Sequence, residues 1–213
     1  MVEDSLKGQL LGFHMRHLRK GKVVFNKSRG WLGFIEEVEA VLGYKIKILT
    51  TVRDIRAVVA SFEKLYQNRG IDWQYPVGED YFKAVSQEGR ANILLRTSGL
   101  LGMTIERVRD VFLRNKFDRV HIIPYQKLLI TPQETMNGIH EFLDLPMYNY
   151  DFENIEQKTH EVDEVHGMGK LHTIKNKISP PENIPWQGIL NDNLVKRLEV
   201  DYADINALAS NLD

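Results

Sequence analysis

Thr50-Thr51-Val52-Arg53-Asp54-Ile55-Arg56-Ala57-Val58-Val59-Ala60-Ser61-Phe62 is the stretch on which the reading of this chain turns. Residues 46–51 form a short, mostly apolar run bounded by Gly43 and by a charged segment, the pattern of a buried strand. Over residues 55–67, Val58, Val59, Phe62, Leu65 and Tyr66 recur at helical spacing. Arg53 therefore sits where a buried strand ends, the end at which open α/β sheets bind ligands, and Ser61 follows two helical turns on. A guanidinium there and a hydroxyl on the following helix can grip one phosphate from two sides. In the competing reading Arg53 pairs with Asp54 or a helix end, and Ser61 packs among small residues.

Working outward, Lys22-Val23-Val24-Phe25-Asn26 is another short, mostly apolar run after a Lys-Gly turn and reads as a strand. Between the two runs, Trp31, Phe34, Ile35, Val38, Val41 and Leu42 mark a helix over residues 31–42, with Gly43 as its stop. Strand, helix, strand implies a right-handed crossover in a parallel sheet. Residues 4–19 form an amphipathic helix. Residues 68–78, with Gly70, Pro76 and Gly78 among Trp73 and Tyr75, read as an ordered surface loop. Two helices fill residues 81–115, interrupted near Ser98-Gly99, and residues 119–124 give a further apolar strand. Thr131-Pro132-Gln133-Glu134 is a capping box with proline at the first helical position, opening a helix to about Leu143. A last helix runs over residues 192–209. The fold class is α/β.

The chain has 213 residues and no composition break, so a single domain over residues 1–213 is expected. Its formal charge of −1, from 28 basic and 29 acidic side chains, gives no global pull toward nucleic acid or an anionic membrane. Any anion site must be local. Cysteine is absent, which removes disulfides, thiolate metal sites and cysteine nucleophiles together. Residues 1–18 mix charges among the apolar positions and offer neither a signal-peptide core nor a membrane span, so a soluble cytoplasmic protein is the default. His160, His166 and His172 lie near Glu161, Asp163 and Glu164, but a six-residue spacing does not put two imidazoles on one helix face. No metal is expected.

The quoted stretch resembles the 3′-phosphate-binding segment of sulfotransferases: an arginine at a strand end, a polar residue after it, a serine eight positions later and then an aromatic residue, here Phe62. The resemblance implies that Arg53 and Ser61 bind the 3′-phosphate of 3′-phosphoadenosine-5′-phosphosulfate, whose product form is 3′,5′-adenosine bisphosphate. Residues 120–129, then Thr131-Pro132 and a helix ending in Phe142-Leu143, are similar to a second segment of that family. There Tyr125 matches the tyrosine that reaches the adenine, and Gln126 replaces the common acidic residue; without the family, Tyr125 reads as an ordinary partly buried tyrosine. Asn26-Lys27-Ser28-Arg29-Gly30-Trp31 is similar to the lysine-serine segment of several branches, in which the lysine lies near the transferred sulfuryl group. Lys27 is thus the candidate catalytic residue, able to neutralise charge on the bridging oxygen. Gly167-Met168-Gly169-Lys170 occupies the place of the family's C-terminal basic segment, so Lys170 is carried over as a donor contact, with Lys175 and Lys177 behind it. Arg29 stands near where many members have a catalytic histidine, and arginine is no base at neutral pH. The base is left among His14, His17, Glu36 and Glu37.

The resemblance implies a three-layer fold like that of P-loop nucleotide enzymes, a parallel sheet flanked by helices. Nothing before Lys22 reads as the strand and phosphate-binding loop that open such folds, so both are expected to be absent from this chain. Truncation, a separate N-terminal segment completing the fold, and a degenerate homologue are the three expectations that follow. The implied function is sulfuryl transfer to a hydroxyl or amine of a small-molecule, glycan or peptide acceptor, with no metal required. A non-catalytic module holding 3′,5′-adenosine bisphosphate and a P-loop kinase relative stay as alternatives.

Overall fold

The computed structural model describes residues 5, 7–8, 11–12, 23–28, 30–69, 78–156, 158, 175–180 and 182–210, without the side chains of residues 69 and 78–81. Two strands pair side by side, β1 (Ile48–Val52) and β2 (Val120–Pro124). The Ile48 amide donates to the Arg119 carbonyl at 2.7 Å where the pair begins. Arg53 and Tyr125, the residues that follow the two strands, meet where it ends. The strands therefore run parallel, and the apolar runs at residues 46–51 and 119–124 form strands as expected. Val52, Val120 and Ile123 are buried along them.

The strand expected over residues 22–26 does not form. Residues 23–28 carry no regular structure, and Val23 and Phe25 are 55% and 66% exposed. An extended run is stable as a strand only when its backbone groups find a ladder, and the described residues give this one no partner. The crossover inferred between residues 22 and 51 is thus corrected. The architecture is mixed α/β, a small two-stranded parallel sheet among helices.

Trp31–Gly33 is a single 3₁₀ turn, and helix α1 begins only at Ile35–Leu42, because Phe34 at φ −135° breaks the run. Gly43 ends it as expected: at φ 77° its amide donates to the Glu39 carbonyl, a left-handed cap that glycine adopts at little cost. Helix α2 spans Ile55–Arg69, and after a 3₁₀ segment Gly78–Val85 come α3 (Gln87–Leu95) and α4 (Gly102–Leu113). The break foreseen at Ser98-Gly99 stands: a Cβ on Gly99 would lie 2.4 Å from the carbonyl oxygens of Ile93 and Leu94. Helix α5 (Tyr125–Ile130) runs directly into α6 (Pro132–Leu143). Proline opens α6 as predicted, yet the capping box does not close. The Thr131 hydroxyl is drawn back to the Lys127 carbonyl at 3.3 Å, which also accepts the Thr131 amide at 2.8 Å, and Glu134 pairs with Lys127 at 3.3 Å. The expected last helix is two, α7 (Asp192–Asp201) and α8 (Ala203–Ser210), parted at Tyr202.

Of the helix expected over residues 4–19, the described Ser5, Lys7, Gly8, Leu11 and Gly12 are helical. Most of the loop expected over residues 68–78 lies outside the described residues. Among the described residues no helix is long and apolar enough to cross a membrane.

The chain divides into two compact units, Met1–Thr50 with Ala91–His121, and Thr51–Arg90 with Ile122–Asp213. In the first, Ile35, Val111 and Val120 are buried, and the ammonium of buried Lys116 is neutralised by Glu36 at 2.9 Å and Asp110 at 3.1 Å. In the second, α2 packs on α7, and α8 packs on both α5 and α7. Its core includes Ile55, Val59, Leu194 and Leu198, and Glu63 is buried with a bidentate partner, Arg90.

Candidate functional site

The two parallel strands of this sheet end in Val52 and Pro124, and the first residue beyond each is a candidate from the sequence. The Arg53 guanidinium carbon lies 5.0 Å from the centroid of the Tyr125 ring, a cation–π contact. A guanidinium supported on its face keeps its N–H donors along its edge, the geometry that grips phosphate or carboxylate oxygens. No carboxylate pairs with Arg53 among the described residues. Asp54, the competing partner, is occupied by Arg56. It accepts from the Arg56 guanidinium at 2.7 and 3.0 Å and from the Arg56 backbone amide at 2.8 Å. The Arg56 guanidinium is held above its ordinary range by that hydrogen bond, and it also lies 4.3 Å from the Trp186 ring and 3.2 Å from Glu199. Of two arginines three positions apart, one is paired internally, and the other has no carboxylate partner among the described residues.

The turn carrying Arg53 is fixed at its far side by the start of α2. The Ile55 amide donates to Oδ1 of Asn206 at 2.9 Å, and Nδ2 of Asn206 donates to the Leu198 carbonyl at 3.1 Å. Ser61 is exposed on α2, with no side-chain partner among the described residues. At about 1.5 Å per residue it stands roughly 9 Å along the helix axis from Ile55. The structure thus brings Arg53 and Tyr125 into contact and sets Ser61 on the helix that Arg53 precedes.

Lys27 belongs to the first unit and is exposed on a loop that includes two local bonds. The Gly30 amide donates to Ser28 Oγ at 3.1 Å, and the Trp31 indole donates to Asn26 Oδ1 at 3.1 Å. Lys27 has no ion pair among the described residues. Of the candidate bases, Glu36 serves as counterion to Lys116, whose hydrogen bond holds its carboxyl below the ordinary range. Arg29, His14, His17 and Lys170 lie outside the described residues, as do Gly167, Met168, Gly169, His160, His166 and His172. Lys177 is exposed and pairs with Glu153.

Sequence reasoning missed the groups that hold the Arg53 turn. The pairing of Asp54 with Arg56 lies inside the quoted stretch, where two basic residues flanking one acid left the choice of partner open. Asn206 is contributed from 151 residues downstream and no local pattern marks it.

A family model described as the sulfotransferase domain matches residues 38–174. The matched span contains Arg53, Ser61, Tyr125 and Lys170 and leaves Lys27 outside. No curated protein and no solved structure matches the chain significantly.

Proposed function

The chain belongs to the sulfotransferase family, and from that premise we propose that it binds 3′-phosphoadenosine-5′-phosphosulfate through Arg53 and directs its sulfuryl group to a hydroxyl or amine acceptor. The observation that carries this reading is the state of Arg53. It follows a parallel strand, rests on the Tyr125 ring, and has no carboxylate to neutralise it among the described residues. A cation without an internal counterion beside an exposed hydroxyl-bearing helix is a donor set suited to a phosphate. The donor, when bound, supplies an activated sulfuryl group. Arg53 and Ser61 hold its 3′-phosphate, Tyr125 orients the adenine and supports Arg53, and Lys170 adds a cation. Lys27 neutralises charge at the leaving oxygen, and the acceptor is a small molecule, glycan or peptide. The family implies the three-layer, P-loop-like arrangement for the whole domain, which we include in the proposal.

A second reading, a module that holds 3′,5′-adenosine bisphosphate without turnover, is favoured by one observation. The only proposed catalytic residue, Lys27, lies outside the span that matches the family. Calorimetry with 3′,5′-adenosine bisphosphate tests what both share. Two charge-assisted hydrogen bonds are worth about 3 kcal/mol, so Arg53→Ala should weaken binding about a hundredfold. Undiminished binding by that variant, or a preference for ATP, overturns the nucleotide assignment. Turnover of labelled donor then separates transferase from binder.

A further inference from the structure

We infer that Asn206 is a positioning residue for the phosphate grip of Arg53, so that the C-terminal helix pair sets the affinity of the chain for a 3′-phosphate. The inference rests on the reading of Arg53 given above. A helix begins with amides that have no partner inside it. The residue in front of α2, Asp54, caps the Arg56 amide at 2.8 Å, and its carboxylate is held there by the Arg56 side chain. The Ile55 amide, at a residue only 4% exposed, is served from elsewhere, by Asn206 Oδ1 at 2.9 Å.

Asn206 is itself 8% exposed, in the interior of α8, where an unpartnered amide would be costly. Both of its ends are used, and only one orientation serves both: the oxygen must face the Ile55 amide and the nitrogen the Leu198 carbonyl. The same region reaches the turn a second time, since Trp186 stacks on Arg56 at 4.3 Å and Glu199 on α7 pairs with it at 3.2 Å. Ile55 and Arg56 are thus held from the C-terminal segment, Asp54 is held by Arg56, and Arg53 is the next residue back along the chain. Shifting the Ile55 amide moves the backbone that carries the guanidinium away from its seat on Tyr125, and catalytic and binding groups tolerate little such displacement.

The test compares affinities for 3′,5′-adenosine bisphosphate and 5′-adenosine monophosphate, which differ by the 3′-phosphate alone. Asn206→Leu removes both hydrogen bonds at similar volume and should lower the ratio of the two affinities about tenfold. Ser210→Ala removes the hydroxyl that donates to the Asn206 carbonyl at 2.7 Å on the same helix, and should leave the ratio within about twofold. Asn206→Asp, which keeps the acceptor for Ile55, should recover most of the ratio. A merely structural role lowers both affinities together and leaves the ratio unchanged, which overturns the inference. Should Asn206→Leu not fold, hydrogen exchange on the unaltered chain decides. The bisphosphate should protect the amides of residues 203–210 beyond the protection given by the monophosphate, and equal protection overturns the inference. If the unaltered chain shows no preference for the 3′-phosphate, or Arg53→Ala retains it, the reading of Arg53 falls and this inference with it. If that preference is lost in Arg53→Ala and intact in Asn206→Leu, only the role of Asn206 falls.

Discussion

Two cations of this chain are each expected to follow a strand, and the segments that carry them are built in different ways. The Arg53 turn follows a strand that forms, and its neighbours Ile55 and Arg56 are held by Asn206 and Glu199, groups from the far end of the chain. The Lys27 loop follows a run that stays irregular, and the bonds that Gly30 and Trp31 donate reach back two and five residues. Local bonds of that kind shape a loop. Long-range bonds also fix a turn against the rest of a fold, and they tie the geometry of Arg53 to global stability. The family match covers the first segment and not the second.

The widest break in this comparison comes from Glu63. It lies on α2, 5% exposed, and takes the Arg90 fork at 2.6 and 2.9 Å, while Arg90 also donates to the Ala84 carbonyl at 2.8 Å and covers the Tyr66 ring at 4.0 Å. Removing one partner of such a pair strands a desolvated charge. Glu63→Ala should cost about 3–5 kcal/mol in a urea titration. A loss below about 1 kcal/mol, the scale of exposed pairs, means that α2 is held by apolar packing alone.

Next in size is the support under Arg53. Tyr125→Leu removes the ring face and should weaken binding of 3′,5′-adenosine bisphosphate about fivefold, the equivalent of about 1 kcal/mol. Tyr125→Phe keeps the face and should bind as the unaltered chain does. Equal losses in both variants assign the effect to the hydroxyl instead of the ring.

The sequence carried both strands, the glycine stop at Gly43, the break at Gly99 and the proline start of α6, because each rests on a few adjacent residues. Where partners come from afar it was silent or wrong. The run at residues 22–26 has strand composition, but composition does not supply the neighbouring ladder that makes a strand. The capping box at Thr131 has the right residues, but α5 ends beside it and its Lys127 carbonyl, which takes the Thr131 amide, takes the hydroxyl as well. Arg53 was legible as a cation at a strand end. That Asp54 prefers Arg56, and that Asn206 fastens the turn, depend on packing between elements far apart in the chain.

Acid sharpens the comparison on the side of Lys27. Helix α1 follows the loop and is fastened by Glu36 to buried Lys116 at 2.9 Å. The Glu36 carboxyl is held below its ordinary 4.5, chiefly by that hydrogen bond. A carboxyl with a lowered folded value contributes stability that is present above the unfolded value and lost as pH falls through the folded one. Glu36 is half exposed, so the contribution is about 1 kcal/mol or less. Between about pH 6 and about pH 3 the urea midpoint should fall more for the unaltered chain than for Lys116→Met, which has no such pair to lose. Equal slopes place the acid sensitivity elsewhere.

The smallest effect on stability carries the sharpest question about the loop. Asn26→Ala removes the acceptor for the Trp31 indole at an exposed site and should cost about 0.5 kcal/mol or less. If Lys27 neutralises the leaving oxygen, freeing its loop should lower kcat while the affinity for 3′,5′-adenosine bisphosphate, set at the Arg53 turn, stays unchanged. Lys27→Ala should lower kcat further, and Lys27→Arg should restore part of it, since the charge matters more than the ammonium itself. A chain that turns over donor at the same rate with Asn26→Ala and Lys27→Ala has its leaving-group cation elsewhere, and Lys170 is then the next residue to change.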